Sequence, residues 1–211
     1  MCPLIREMRS RAGLEVKVCV TAQHRQMLDQ VLAVFQVVPD YDLDVMKERQ
    51  DLFDITQAVL GGIRKVLEKE KPDVVLVHGD TTTTFVTALA CFYLRIPVGH
   101  VEAGLRTYRL DAPYPEEFNR QAVGIVSAWN FAPTSLEAEN LRREGKRKES
   151  IYITGNTVVD AMKHMVRKDY HHQELDWVGK NRMILITAHR RENLGQPMAR
   201  MFRAIRRVLD E

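Results

Sequence analysis

Apolar positions along this chain alternate between two periods. Leu4, Ile5 and Met8 recur at helical spacing after Pro3, which predicts a first helix to about Arg11. Val16, Val18 and Val20 then read as a strand, and Met27, Leu28, Val31, Leu32 and Phe35 as a helix over Arg25 to Phe35. After a polar turn at Pro39-Asp40, Leu52, Ile55, Ala58, Val59, Ile63, Val66 and Leu67 predict a long helix over Asp51 to Lys69, interrupted only by Gly61-Gly62 and closed by Pro72. The alternation continues with a strand at Val74 to Val77, a helix at Thr82 to Leu94, a strand at Pro97 to Val101 and a helix at Glu116 to Val126. Short strands follow around Trp129 to Phe131 and Ile151 to Thr154, then a helix opened by Gly155-Asn156-Thr157 that runs to about Val166.

These strands are apolar along their length rather than alternating, as when helices cover both faces of a sheet, so the expected class is α/β with a doubly wound parallel sheet. Residues 1–168 form the expected first domain, the polar stretch 169–181 a linker, and 182–211 the start of a second domain with a strand at Met183 to Thr187 and a helix to the last residue. A sheet of this kind begins with a strand whose following turn opens the first helix. Here the helix stands first, and one strand with one helix cannot bury a core. The expectation is a chain truncated at both ends, lacking its first strand and most of its second domain.

Composition narrows the setting. The 211 residues are 45% hydrophobic and 28% charged with a formal charge of +3, and no run approaches a membrane span or a secretory signal. A cytoplasmic protein without a membrane partner is expected. The basic cluster Arg142 to Lys148 lacks aromatic stacking positions and reads as a solvated loop, so no nucleic-acid partner is expected. Cys2, Cys19 and Cys91 are far apart, without metal-like spacing, and read as free thiols.

Candidate chemistry lies where strands end. Asp80, in His78-Gly79-Asp80-Thr81-Thr82-Thr83-Thr84, and Glu102, in His100-Val101-Glu102-Ala103-Gly104, follow successive strands, and ligands of open α/β sheets bind beyond those ends. Glu116 follows Pro113-Tyr114-Pro115 at a helix start, where a carboxylate is favoured. Three crowded carboxylates resist simultaneous ionisation, which raises at least one pKa and suits proton transfer at carbon. The alternative is that Asp80 and Glu102 simply cap helices. Thr81 to Thr84 offers an anion site at a helix N-terminus, or only a cap. His189, followed by Arg190 and Arg191, is either a structural histidine or a group facing an anionic ligand.

The segments Thr21 to Leu28, Val77 to Thr84, Gly99 to Arg106, Pro115 to Arg120, Thr154 to Thr157 and Ala188 to Asn193 together resemble the non-hydrolysing UDP-N-acetylglucosamine 2-epimerases over essentially the whole chain. The resemblance implies two Rossmann-like domains in the glycosyltransferase-B arrangement, UDP-GlcNAc and UDP-ManNAc as substrates, no nicotinamide cofactor or metal, and a homodimer at full length. The reaction it implies removes the C2 proton, expels UDP by anti elimination to 2-acetamidoglucal, and returns both with opposite configuration at C2. Asp80, Glu102 and Glu116 match the family's catalytic acids, and His189 its cleft histidine. Gln23, Gln26, Arg49, Glu116 and Arg190 match positions tied to a second, activating UDP-GlcNAc.

The family's opening strand and its Gly-Thr-Arg-Pro-Glu loop have no counterpart ahead of Met1, so the isolated chain is expected to have negligible epimerase activity. A glycosyltransferase of the same architecture, a non-catalytic sugar-nucleotide-binding fragment and a hydrolysing epimerase are the rival readings. Hydrogen exchange at C2, binding without turnover and the released products tell them apart.

Overall fold

The computed structural model describes residues 1–22, 25–47, 49–167, 169–188 and 194–210, apart from the side chains of Gln26 and Asp210. The chain divides into two compact units, Met1–Arg167 and Lys168–Glu211. The first is built from α1 (Cys2–Arg9), β1 (Cys19–Val20), α2 (Arg25–Phe35), β2 (Tyr41–Asp42), α3 (Leu52–Glu70), β3 (Val75–His78), α4 (Thr82–Tyr93), β4 (Val98–Val101), α5 (Glu116–Val126), β5 (Trp129–Ala132), α6 (Ser135–Arg143), β6 (Ile151–Ile153) and α7 (Thr157–Met165). All ladders are parallel. The strands fall into a pair, β1-β2, and a sheet of order β3-β4-β5-β6, rather than one continuous sheet. Among the described residues no helix is long and apolar enough to cross a membrane.

Local chemistry explains the boundaries. Asp51 caps α3 through the Asp54 amide at 2.9 Å while Asp54 returns a bond to the Asp51 amide at 3.1 Å, a reciprocal box that satisfies two helix-start donors. Ile55, Val59, Ile63 and Leu67 then form its buried stripe, and Lys71 ends it in a left-handed turn before Pro72. Gly61-Gly62 does not break the helix. A Cβ on Gly62 would lie 3.0 Å from the Leu43 side chain, so the missing side chain lets that neighbour pack close.

The main core gathers Ile63, Leu67, Val77, Ala88, Ala90, Cys91, Val98 and Val123 around α3, α4 and the sheet. Every residue of β4 is buried because the strand is central. Burial raises the Cys91 thiol to about 12 and, with Asp42 adding to burial, the Cys19 thiol to about 11, so both stay protonated and inert near neutrality.

Helix α6 and the short strand β2 are not evident from the hydrophobic pattern. In Ser135–Arg143 only Ala138 and Leu141 are buried apolar residues, alongside buried Glu137 and Asn140. Thr134 caps the helix through the Leu136 amide at 3.1 Å. Its backbone presses on the turn after β4. Gly104 has φ +92°, and a Cβ there would sit 2.4 Å from the Glu137 carbonyl oxygen. Asn140 Nδ2 donates to the Gly104 carbonyl at 3.0 Å and fixes the approach.

In the second unit, α8 (Gln173–Val178) occupies part of the expected linker, and α9 (Gln196–Asp210) matches the expected last helix. Residues 182–188 form no strand. Ile184 is 64% and Leu185 87% exposed, and an apolar run becomes a strand only where another strand completes its hydrogen bonds.

Gly104→Ala is expected to cost on the order of 3 kcal/mol, from an L-residue forced to positive φ plus the clash with Glu137. Urea unfolding checks it; a loss within 0.5 kcal/mol, about that of a neutral surface change, would contradict the close approach.

Candidate active site

The polypeptide leaves β3 through a tightly held turn. Gly79 takes φ +69° and donates its N–H to the Val101 carbonyl at 3.0 Å. Three successive carbonyls are then met by three elements. Thr84 Oγ1 of α4 donates to the His78 oxygen at 2.6 Å, His100 Nε2 of β4 to the Gly79 oxygen at 2.8 Å, and Asn119 Nδ2 of α5 to the Asp80 oxygen at 2.9 Å. Arg120 Nη1 lies 3.4 Å from the Asp80 carboxylate.

Arg120 is itself fixed by Glu117, through Nε at 2.7 Å and Nη2 at 2.6 Å. Glu117 is wholly buried and also accepts the Thr107 and Tyr108 amides at 3.0 and 2.9 Å and Gln121 Nε2 at 2.7 Å. Burial alone would raise its carboxyl. The two amides, Gln121 and Arg120 outweigh burial and hold it at about 2. One carboxylate thus anchors the loop after β4, orders the first turn of α5 and orients the arginine beside Asp80.

Glu102 follows β4 with φ +65°, a sparsely populated conformation for a residue with a side chain. Asn156 Nδ2 donates to its Oε1 at 3.2 Å, while Asn156 Oδ1 accepts the Val158 amide at 2.9 Å and caps α7. Its Oε2 lies 3.8 Å from His78 Nε2, which is 3.3 Å from Thr157 Oγ1. Burial lowers the His78 pKa against the opposing pull of Glu102. That direction disfavours the imidazolium which an ion pair with Glu102 would need. Gly79 lies beside this carboxylate, where a Cβ would stand in ordinary contact, 3.4 Å from Glu102 Oε2, so it is the φ of +69° that calls for glycine.

Glu116 is the first residue of α5, and its Oε2 is buried without a hydrogen-bond partner among the described residues. It precedes Asn119 and Arg120 by three and four residues, so it shares their helix face. Asp80 and Glu102 lie past the ends of neighbouring strands paired in register through His78 and Val101, and Glu116 projects from the face that grips Asp80.

Each acid meets a different group: Asp80 a guanidinium, Glu102 an amide and an imidazole. The buried Oε2 of Glu116 meets no donor among the described residues. The cap alternative does not describe the strand-end acids, because Thr81 is the N-cap of α4 and Glu102 bonds to Asn156. In the threonine run, Thr81 Oγ1 caps the Thr84 amide at 3.2 Å and Thr83 Oγ1 lies 3.2 Å from Thr21 Oγ1. Those hydroxyls hold the turn.

Arg49 is exposed in a left-handed turn between β2 and α3. Gln23, His189 and Arg190, and the side chain of Gln26, lie outside the described residues. Glu117, Asn119, Arg120, His100 and Asn156 belong to the site's framework without having been singled out from the sequence. For Asn119 and Arg120 the signal was present, in their spacing from Glu116.

Residues 6–211 match the family model described as UDP-N-acetylglucosamine 2-epimerase. The chain is 54% identical over 211 residues to the UDP-N-acetylglucosamine 2-epimerase of Bacillus subtilis, covering all of this chain and 56% of that protein. Among solved structures it is similar to S. aureus MnaA in its UDP co-structure, with TM-score 0.94, 50% identity, and coverage of 100% of this chain and 56% of that one. It is likewise similar to the Neisseria meningitidis UDP-GlcNAc 2-epimerase bound to UDP-GlcNAc, with TM-score 0.91, 45% identity, and coverage of 100% and 59%. The chain spans about half the length of the curated relatives it matches.

The ordinary Glu117 value of 4.5 falls to about 2 on folding, so ionisation stabilises the native state above about 4.5 and that gain drains away as pH drops toward 2. Glu117→Gln should lower unfolding free energy by about 3–5 kcal/mol near neutrality, because Arg120 stays buried beside a neutral partner. In urea unfolding across pH, the gap from wild type should narrow between 4.5 and 2; a constant gap would count against the network.

Proposed function

The chain belongs to the UDP-N-acetylglucosamine 2-epimerase family, and from this we propose that its protein interconverts UDP-GlcNAc and UDP-ManNAc. The observation that carries the reading is the placement of Asp80 and Glu102 beyond adjacent strand ends, with Glu116 on the α5 face that holds Asp80. Carboxylates are suited to remove and return a proton at carbon when fixed within reach of it. One takes the C2 proton, the electron pair of that C–H bond forms the C1–C2 double bond, and the C1–O bond breaks as UDP departs. Return of UDP to C1 and of a proton to the opposite face of C2 completes the inversion. Arg120 and Asn156 hold the Asp80 and Glu102 carboxylates, so little reorganisation of these two is needed when the sugar arrives.

His189 is proposed to assist departure of UDP, and 182–211 to begin the nucleotide-binding domain. Relatives solved with UDP and with UDP-GlcNAc support the choice of ligand. Gln23, Gln26, Arg49, Glu116 and Arg190 are proposed to meet a second, activating UDP-GlcNAc. A homodimer working in the cytoplasm completes the proposal.

The test is epimerisation in heavy water by a chimera in which the chain replaces the matching segment of the Bacillus subtilis relative. Deuterium should enter C2 of both epimers. Asp80→Asn, Glu102→Gln and Glu116→Gln in the chimera should each lower turnover by roughly 10²- to 10⁴-fold. A folded, UDP-binding chimera that leaves C2 hydrogen in place would refute the reading.

A further inference from the structure

The loop that leaves β4 is pinned to three neighbours. The Ala103 amide donates to the Phe131 carbonyl of β5 at 3.0 Å, Asn140 Nδ2 of α6 to the Gly104 carbonyl, and the Thr107 and Tyr108 amides to Glu117 of α5. Arg106 stands within this stretch, and its side chain is wholly inaccessible. A guanidinium is buried in this way only when it is paired. Its Nε and Nη2 fork onto the Glu144 carboxylate at 2.6 and 2.8 Å, and Nη1 donates to the Leu105 carbonyl of its own loop at 2.7 Å. At α5 a Cβ on Gly124 would lie 3.3 Å from Nη2, so the glycine lets the planar group pack close against that helix. Glu144 is the C-cap of α6, one turn beyond Asn140, and a cation there also meets the negative end of the helix dipole.

We propose that Arg106 is a positioning residue: wedged between α5 and α6 and forked on Glu144, it locks the loop after β4 and so holds Glu102 at a fixed place relative to Glu116. Glu102 has φ +65°, and a residue with a side chain stays in that region only where its surroundings over-determine it. Strand β4 restrains it from one side and the loop from the other. Arg106 joins that loop at once to α6 and to α5, the helix whose first residue is Glu116. A lysine could not do the same, because an ammonium is a point charge on a flexible stem and lacks the rigid fork that meets both carboxylate oxygens together. Naming Glu102 and Glu116 as the groups that benefit rests on the epimerase reading; the clamp on the loop does not.

The test is steady-state epimerisation by the Bacillus subtilis chimera carrying Arg106→Lys or Glu144→Gln, assayed well below the unfolding temperature of each. Arg106→Lys should lower kcat by roughly 10- to 100-fold with KM for UDP-GlcNAc within about twofold, because a misplaced acid slows proton transfer without removing a contact to the substrate. Glu144→Gln, which keeps one acceptor oxygen, should lower kcat less. A clamp that only stabilised the fold would leave kcat unchanged in both variants once they are folded. An unchanged kcat, or a rise in KM alone, would overturn the proposal.

Amide exchange on the 211-residue chain supplies a second arm. Arg106→Lys should speed exchange at Thr107 and Tyr108 by on the order of tenfold while leaving α3 unchanged. Should that variant not fold, Glu144→Gln decides the matter, since Glu144 is partly exposed and its amide replacement keeps the same shape. Equal exchange at Thr107 and Tyr108 in variant and wild type, or a rise of the same size throughout α3, would also overturn the proposal. This arm needs no turnover. A wild-type chimera that binds UDP without epimerising would refute the epimerase reading, and the exchange result would still decide whether Arg106 holds the loop.

Discussion

A strand that ends at a cleft releases backbone carbonyls that no longer have a ladder partner, and leaving them buried and unpaired is costly. At the end of β3 the carbonyls of His78, Gly79 and Asp80 are answered by Thr84, His100 and Asn119, drawn from α4, β4 and α5. The arrangement of acids depends on that turn. It sets where Asp80 leaves the sheet and ties α5, and with it Glu116, to the strand ends.

The same region concentrates buried charge. Glu117 and Arg120 are both nearly inaccessible, and a buried pair is tolerable only when the remaining lone pairs and protons are also satisfied. Two backbone amides and Gln121 complete Glu117, and Asp80 lies within reach of Arg120. A network of this kind holds geometry more firmly than an apolar core of equal volume, because every member has a direction as well as a size. That rigidity is what proton transfer at a fixed carbon requires.

Much of the first unit was legible because its signals are local. Asp51 with Asp54, the 3.6-residue stripe of α3 and the strand-end glycines act within a few residues, and the long helices and four-stranded sheet fall close to their expected bounds. Helix α6 was not legible, since its buried face includes Glu137 and Asn140, whose burial is made possible by Thr134 and by the Gly104 carbonyl. The run Met183 to Thr187 erred the other way: its apolar pattern is that of a strand, yet residues 182–188 form none.

The sequence by itself determined the alternation of strands and helices, the placing of Asp80 and Glu102 at strand ends and of Glu116 at a helix start, and the family to which these segments belong, because each is encoded in short-range spacing. Only the tertiary structure decided which groups those acids meet. Arg120 beside Asp80, Asn156 beside Glu102, and His100 level with Asn130 are separated by 40, 54 and 30 residues. Contacts over such distances are fixed by strand order and register, which no local periodicity carries.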